Sequence, residues 1–248
     1  MIEKVEGHNM NLLYDDLRTA LQHEIDRHHL AGKKIQIRCK ALTVKEAIGN
    51  PAHDDYPIIK GREVMVEASF EGNKGQAFTD EFENVDYGVD DLLDIELSSN
   101  RNRASFISGL NAVFRYLGIC SKTVHCRDRE PVECAAQLAQ FLGPVKNVLL
   151  VGYQPRFLES LASAYTVRAL DLDRDNIGKA FSGVIIESPA RLADAAKWCD
   201  MIFATGSTIV NGTLTDFIIP EKPLVLYGVT IAASAKILDL KTYCHCGA

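Results

Sequence analysis

Lys146-Asn147-Val148-Leu149-Leu150-Val151-Gly152-Tyr153-Gln154-Pro155 is the stretch that decides the fold. Its middle is an unbroken apolar run, and it ends in a turn. A short apolar run bounded by a turn reads as a strand buried on both faces. After Pro155 the spacing becomes helical, with Phe157, Leu158, Leu161 and Ala162 on one side. A second run, Thr166-Val167-Arg168-Ala169-Leu170, closes at Asp171. Strand, helix, strand is the βαβ unit of parallel sheets, whose ligand crevices open at the carboxyl ends of the strands.

The pattern continues downstream. Strands are expected at 146–151, 166–170, 183–186, 201–204 and 223–227, and helices at 155–164, 189–198 and 212–217. This is a doubly wound α/β sheet. The crevice then lies between its first and fourth strands, where strand order reverses. One wall is Gly152, Tyr153, Gln154 and Pro155. The other is Thr205-Gly206-Ser207-Thr208-Ile209-Val210-Asn211-Gly212-Thr213, rich in hydroxyls and small residues. Such a turn entering a helix has the composition of a cradle for an anion or polar ligand. A capped helix entry with Ser207 or Asn211 as cap is the plainer alternative.

The N-terminal half has another grammar. Leu13, Leu17, Leu21 and Ile25 recur every four residues, the stripe of a half-buried helix. Ile35, Ile37, Cys39 and Ala41 alternate with polar residues, as do Val64, Val66, Ala68 and Phe70. Gly72-Asn73-Lys74-Gly75 reads as the turn into a partner strand at 76–82. Phe106, Ile107, Leu110, Val113, Phe114 and Leu117 mark a second helix ended by Gly118. Helices with antiparallel strands make an α+β layer. A boundary in the polar stretch 119–130 gives expected domains 1–120 and 121–248.

Several function classes fall away. The net charge of −6 argues against nucleic acid. No apolar run approaches the ~20 residues of a membrane span, and the first residues carry no signal segment, so a cytoplasmic protein is expected. The seven cysteines, odd in number and irregularly spaced, read as reduced thiols. No G-x-S-x-G elbow, H-E-x-x-H or Walker A sequence occurs.

Other candidates are local. Asp171 stands about 20 residues past Gly152, where dinucleotide-binding folds place a ribose-binding acid. Gln154 and Phe157 replace the other fingerprint glycines, so a nucleotide- or S-adenosylmethionine-dependent enzyme is the alternative and not the first reading, and a non-catalytic binding or sensor protein is the third. Asn111, at the edge of its helix stripe, either points into an interdomain site or bonds a neighbouring backbone. Arg101 and Arg103 could meet an anion or remain solvated. His53-Asp54-Asp55 reads as a solvated loop, with cation binding the alternative. Cys244, His245 and Cys246 are soft-metal donors, needing partners such as Cys120, His125 and Cys126.

Together these residues resemble a domain-of-unknown-function family described as putative heavy-metal chelation proteins. The resemblance rests on Val151-Gly152-x-x-Pro155, Asp171, the 205–213 segment with Val210-Asn211-Gly212-Thr213 its most specific part, Tyr227-Gly228, and Ile107-Ser108-Gly109-Leu110-Asn111-Ala112. It implies an enolase-N-terminal-like domain joined to a Rossmann-like domain, with the site in the cleft between them. It also implies heavy-metal chelation or the making of a metal-chelating compound, with a heavy or transition metal as the implied cofactor. The expected partners are a small molecule or metal, and a homodimer is one expected assembly.

Overall fold

A computed structural model describes residues 9–38 and 63–248; the His53-Asp54-Asp55 candidate lies outside them. Two sheets form. The first is antiparallel, in the order β3-β2-β1-β4, from β1 (Lys34–Arg38), β2 (Val64–Phe70), β3 (Asn73–Thr79) and β4 (Val85–Gly88). Helix α1 (Met10–His28) starts where the Asn9 side chain accepts the Leu12 N–H, and it buries the expected stripe. Helix α2 (Asn100–Tyr116), capped by Ser99, packs across β2 and β3.

The β2–β3 hairpin departs from the expected register. The turn is Glu71-Gly72, both at positive φ, and Phe70 faces Asn73. Gly75 is inside β3. Its role is close approach, because a Cβ there would sit 2.3 Å from both the Ala112 nitrogen and the Ser108 carbonyl oxygen of α2.

The second sheet runs β11-β10-β9-β5-β6-β8-β7. Its strands are β5 (Asn147–Val151), β6 (Thr166–Leu170), β7 (Ala180–Phe181), β8 (Val184–Glu187), β9 (Met201–Thr205), β10 (Leu224–Tyr227) and β11 (Thr242–Tyr243). All pairings are parallel except the β7–β8 edge hairpin. Helices α3 (Glu130–Ala136), α4 (Leu138–Leu142) and α5 (Pro155–Ala164) cover one face, while α6 (Leu192–Trp198) and α7 (Ala232–Ile237) cover the other. This is the Rossmann-like doubly wound sheet beside an α+β layer. Helix 155–164 and strand 166–170 stand where the apolar spacing puts them. The expected helix at 212–217 is instead a four-residue 3-10 turn, Leu214–Phe217.

Burial explains the unbroken run in β5. Val148 and Leu150 enter the core beneath α3, α4 and α5. Leu149 and Val151 enter the opposite one, which runs on without a break through α2 to α1. Among the described residues no helix is long and apolar enough to cross a membrane.

Candidate functional site

Strands β5 and β9 pair directly, Val151 against Ala204, and the chain runs outward from them in opposite directions. The crevice is therefore at the expected switch point. Gly152 sits at φ +88, and a Cβ would meet Thr205 Cγ2 at 2.7 Å and the Tyr227 hydroxyl at 3.0 Å. This glycine lets the strand ends close on one another. Gln154 caps α5 by accepting the Phe157 N–H at 2.5 Å, and Pro155 takes the first helical position. Tyr153 stacks edge-on against Phe181.

Asp171 holds this turn. One carboxylate oxygen accepts the Tyr153 N–H (2.6 Å), and the other accepts from Asp173 N (2.8 Å) and Asn176 Nδ2 (3.2 Å). Burial raises its pKa, and the three donors pull the other way. Its oxygens are thus engaged in loop structure, which weakens the ribose-binding alternative.

The 205–213 turn is held from the N-terminal half. The Tyr14 hydroxyl donates to the Ile209 carbonyl (2.5 Å), and Arg103 Nε donates to the Val210 carbonyl (2.5 Å). Arg103 is therefore a tether and not an anion receptor, while Arg101 pairs with Glu83 at 3.6 Å. The cap is Thr205, whose hydroxyl accepts the Ser207 N–H at 3.3 Å; it is neither Ser207 nor Asn211. Gly206 packs on Ile231, and Gly212 lies by the Arg103 guanidinium. Thr208 and Thr213 hydroxyls turn back onto the segment's own carbonyls. Asn211 makes no side-chain hydrogen bond to a described residue, and with Thr205, Ser207, Thr208 and Thr213 it lines the cleft. The turn leads into 3-10 turns of four residues each, too short to build the dipole invoked for an anion.

Asn111 must be corrected as a ligand candidate. It is 0 % exposed. Its Nδ2 is within range of the carbonyls of Gln76 (3.1 Å), Val229 (3.3 Å) and Thr230 (3.0 Å), and its Oδ1 accepts the Ala233 N–H (2.9 Å). It clamps β3 and α2 to the loop after β10, leaving no polar atom for a ligand.

Two connected chambers lie above the strand ends, of about 140 and 190 Å³, sharing Glu63, Gly152, Asp171, Thr205 and Ser207. The larger carries the hydroxyls, Asn211 and the carboxylates of Asp173 and Asp216. Among the described residues neither chamber has a lysine or arginine in its wall. Burial, then the carboxylates of Asp171, Asp173 and Asp80, push the Glu63 pKa up to about 7.

The smaller chamber has aromatic and sulfur walls: Phe78, Phe157, Tyr227 and Tyr243, with His125, Cys126, Cys134 and Cys244. Tyr227 donates to the Gly152 carbonyl at 2.9 Å. Burial, and then the Cys134, Cys244 and Cys246 thiols, raise the Cys126 thiol, and burial first lifts Cys246 to about 11. Burial also lowers the His125 imidazole. Cys120 lies off this chamber, in a hollow beside Lys122 and Lys236. Among the described residues no three His, Cys, Asp or Glu groups are arranged to hold a metal ion. Sequence reasoning passed over Glu63, Phe78, Cys134 and Tyr243. Only Cys134 left a signal, an additional thiol eight residues past Cys126.

Residues 135–241 match a family profile, DUF364, described as "Putative heavy-metal chelation". A protein of unknown function from that family, from Pyrococcus horikoshii, superimposes with a TM-score of 0.52 at 16% identity, over 88% of this chain and 79% of that one. Another, from Desulfitobacterium hafniense DCB-2, gives 0.52 at 10% identity, over 86% and 78%. At such identities the likeness speaks for the fold alone. No curated protein matches the chain.

Proposed function

We propose, for a chain whose residues 135–241 match the DUF364 family profile, that the cleft takes up a cation or a cationic metal chelate. The observation that carries this is the lining: Glu63, Asp171, Asp173 and Asp216 face the chambers, with no lysine or arginine among the described walls. Clefts lined by one sign of charge concentrate ligands of the other. Asn211 and the hydroxyls of Ser207 and Thr205 supply neutral atoms that orient the ligand. The family description agrees with a metal or a metal-chelating compound. A cationic ligand stands here in place of the anion or neutral polar ligand expected from the turn's composition alone. A nucleotide fits less well, since its pyrophosphate would meet carboxylates and a glycine already packed on Thr205.

Charge substitution at Asn211 tests the sign. A unit charge about 8 Å from the ligand, at an effective dielectric of about 20, changes binding by about 2 kcal/mol, more than tenfold. Calorimetric titration with Ni²⁺, Co²⁺ and Zn²⁺, alone and as histidine complexes, should show Asn211→Asp tightening binding and Asn211→Lys weakening it. Tightening by lysine, with phosphate binding in place of the cations, would overturn the reading.

The same titration has an expected pH dependence. Glu63 is neutral below about pH 7 and charged above it. Cation affinity should therefore rise as pH increases from about 6 to about 8, with a proton released at the lower end. A flat profile would remove Glu63 from the site.

A further inference from the structure

We infer that the occupant of the cleft is an organic cation of the arylalkylammonium class, a single aromatic ring joined by a short linker to a protonated amine. The inference rests on the cation reading above and adds the apolar half of the ligand, which that reading leaves open. The two chambers differ in chemistry but share a wall. Glu63, Gly152, Asp171, Thr205 and Ser207 border both, so one molecule can reach into both at once.

The smaller chamber is walled by rings. Phe157 meets Tyr227 edge-on at 5.0 Å and Tyr243 at 5.9 Å, and Phe78 meets His125 at 5.3 Å. The Tyr227 hydroxyl donates to the Gly152 carbonyl at 2.9 Å, and the Tyr243 hydroxyl donates to the Cys134 carbonyl. With those donors engaged, what the two tyrosines offer a ligand is ring carbon. Burial holds the His125 imidazole below its ordinary range and the Cys126 thiol above its own, so at neutral pH neither brings a charge to this side. Such walls favour an apolar guest over a hydrated one. The volume sets its size. An apolar cavity of roughly 150 Å³ accepts one benzene ring, and this chamber measures about 140 Å³.

The charge of the ligand belongs on the other side. The carboxylates of Glu63 and Asp171 stand on the shared wall, and Asp173 and Asp216 continue into the larger chamber. Asp171 already accepts three N–H donors, so it attracts by its charge. Asn211 and Ser207, which line the larger side, carry oxygens that accept hydrogen bonds from an ammonium. A bare metal ion would fill the acidic side and leave the ringed side without a guest. An aromatic anion would fill the ringed side and meet carboxylates at its charged end. A ring with an ammonium a short linker away suits both.

Calorimetric titration of the full chain with phenethylammonium, butylammonium, phenethyl alcohol and phenylacetate tests this. The titrations are run at about pH 8, where Glu63 is charged and the amines stay protonated. Phenethylammonium should bind tightest, with each of the others weaker by about tenfold or more. Its heat-capacity change should be more negative than that of butylammonium, the mark of the buried ring. Phe78→Ala should narrow the gap between the two ammonium ions, while Glu63→Gln should weaken both. Should Phe78→Ala not fold, the ligand series on the unsubstituted protein decides alone. Equal binding of phenethylammonium and butylammonium overturns the inference and leaves the cation reading intact. Phenethyl alcohol binding as tightly as phenethylammonium overturns the inference too. Preference for phenylacetate overturns both. Binding of none of the four overturns the inference, and the metal titration above then decides the cation reading by itself.

Discussion

Gly75→Ala should cost about 3 kcal/mol or more, while Gly72→Ala, three residues away, should cost about 1 kcal/mol. A methyl at Gly75 would stand 2.3 Å from two backbone atoms of α2. Neither can yield without moving the helix, and packed interiors absorb such shifts poorly. Gly72 has open space around it, so the cost there is the positive φ of +79 alone. Urea unfolding of both variants measures the difference. Equal losses would mean that the β3–α2 contact is loose enough to part, and the close-approach account would fall.

Asn111→Ala is expected to be of similar size. It strips partners from the carbonyls of Gln76, Val229 and Thr230 and from the Ala233 N–H in a dry interior. Each buried polar group left unsatisfied costs about 1–3 kcal/mol, so a total loss of about 3 kcal/mol or more is expected. Asn111→Asp tests the same clamp by charge. Its carboxylate would face three carbonyl oxygens, which raises its folded pKa above the unfolded value. Its stabilising contribution is then present at low pH, where the protonated group donates again, and is lost as pH rises. Thermal unfolding across pH should show that sign. A Tm for Asn111→Ala indistinguishable from that of the unsubstituted chain would show the clamp to be idle.

These two residues also mark where sequence stopped speaking. Gly75 looks like a turn glycine because glycines frame Asn73-Lys74; only the opposing helix shows that the absent side chain is what matters. Asn111 is legible as a polar group near an apolar stripe, but spacing along one helix does not say which loop arrives to use it. The parallel sheet was easier. Strands such as Asn147–Val151, buried on both faces, leave an unbroken apolar run, and ten residues of α5 leave a stripe. Helices α3, α4 and α7, of five to seven residues, are too short for a period to register. In the site, the 205–213 turn announced itself by composition. The sign of the cleft did not, because its carboxylates come from residues 63, 171, 173 and 216, scattered along the chain.

The unbroken core from α1 through α2 to the parallel sheet bears on how anything could enter. Paired domains that swing open on a hinge meet through small, polar surfaces. Here the buried Tyr14 and Asn111 and the half-buried Arg103 cross from one half to the other. Bending the halves apart would break those bonds and wet the core together. The cleft is thus a fixed socket and not a jaw, so whatever it receives must be small enough to pass its rim or must rely on loop movements that leave the two sheets where they are.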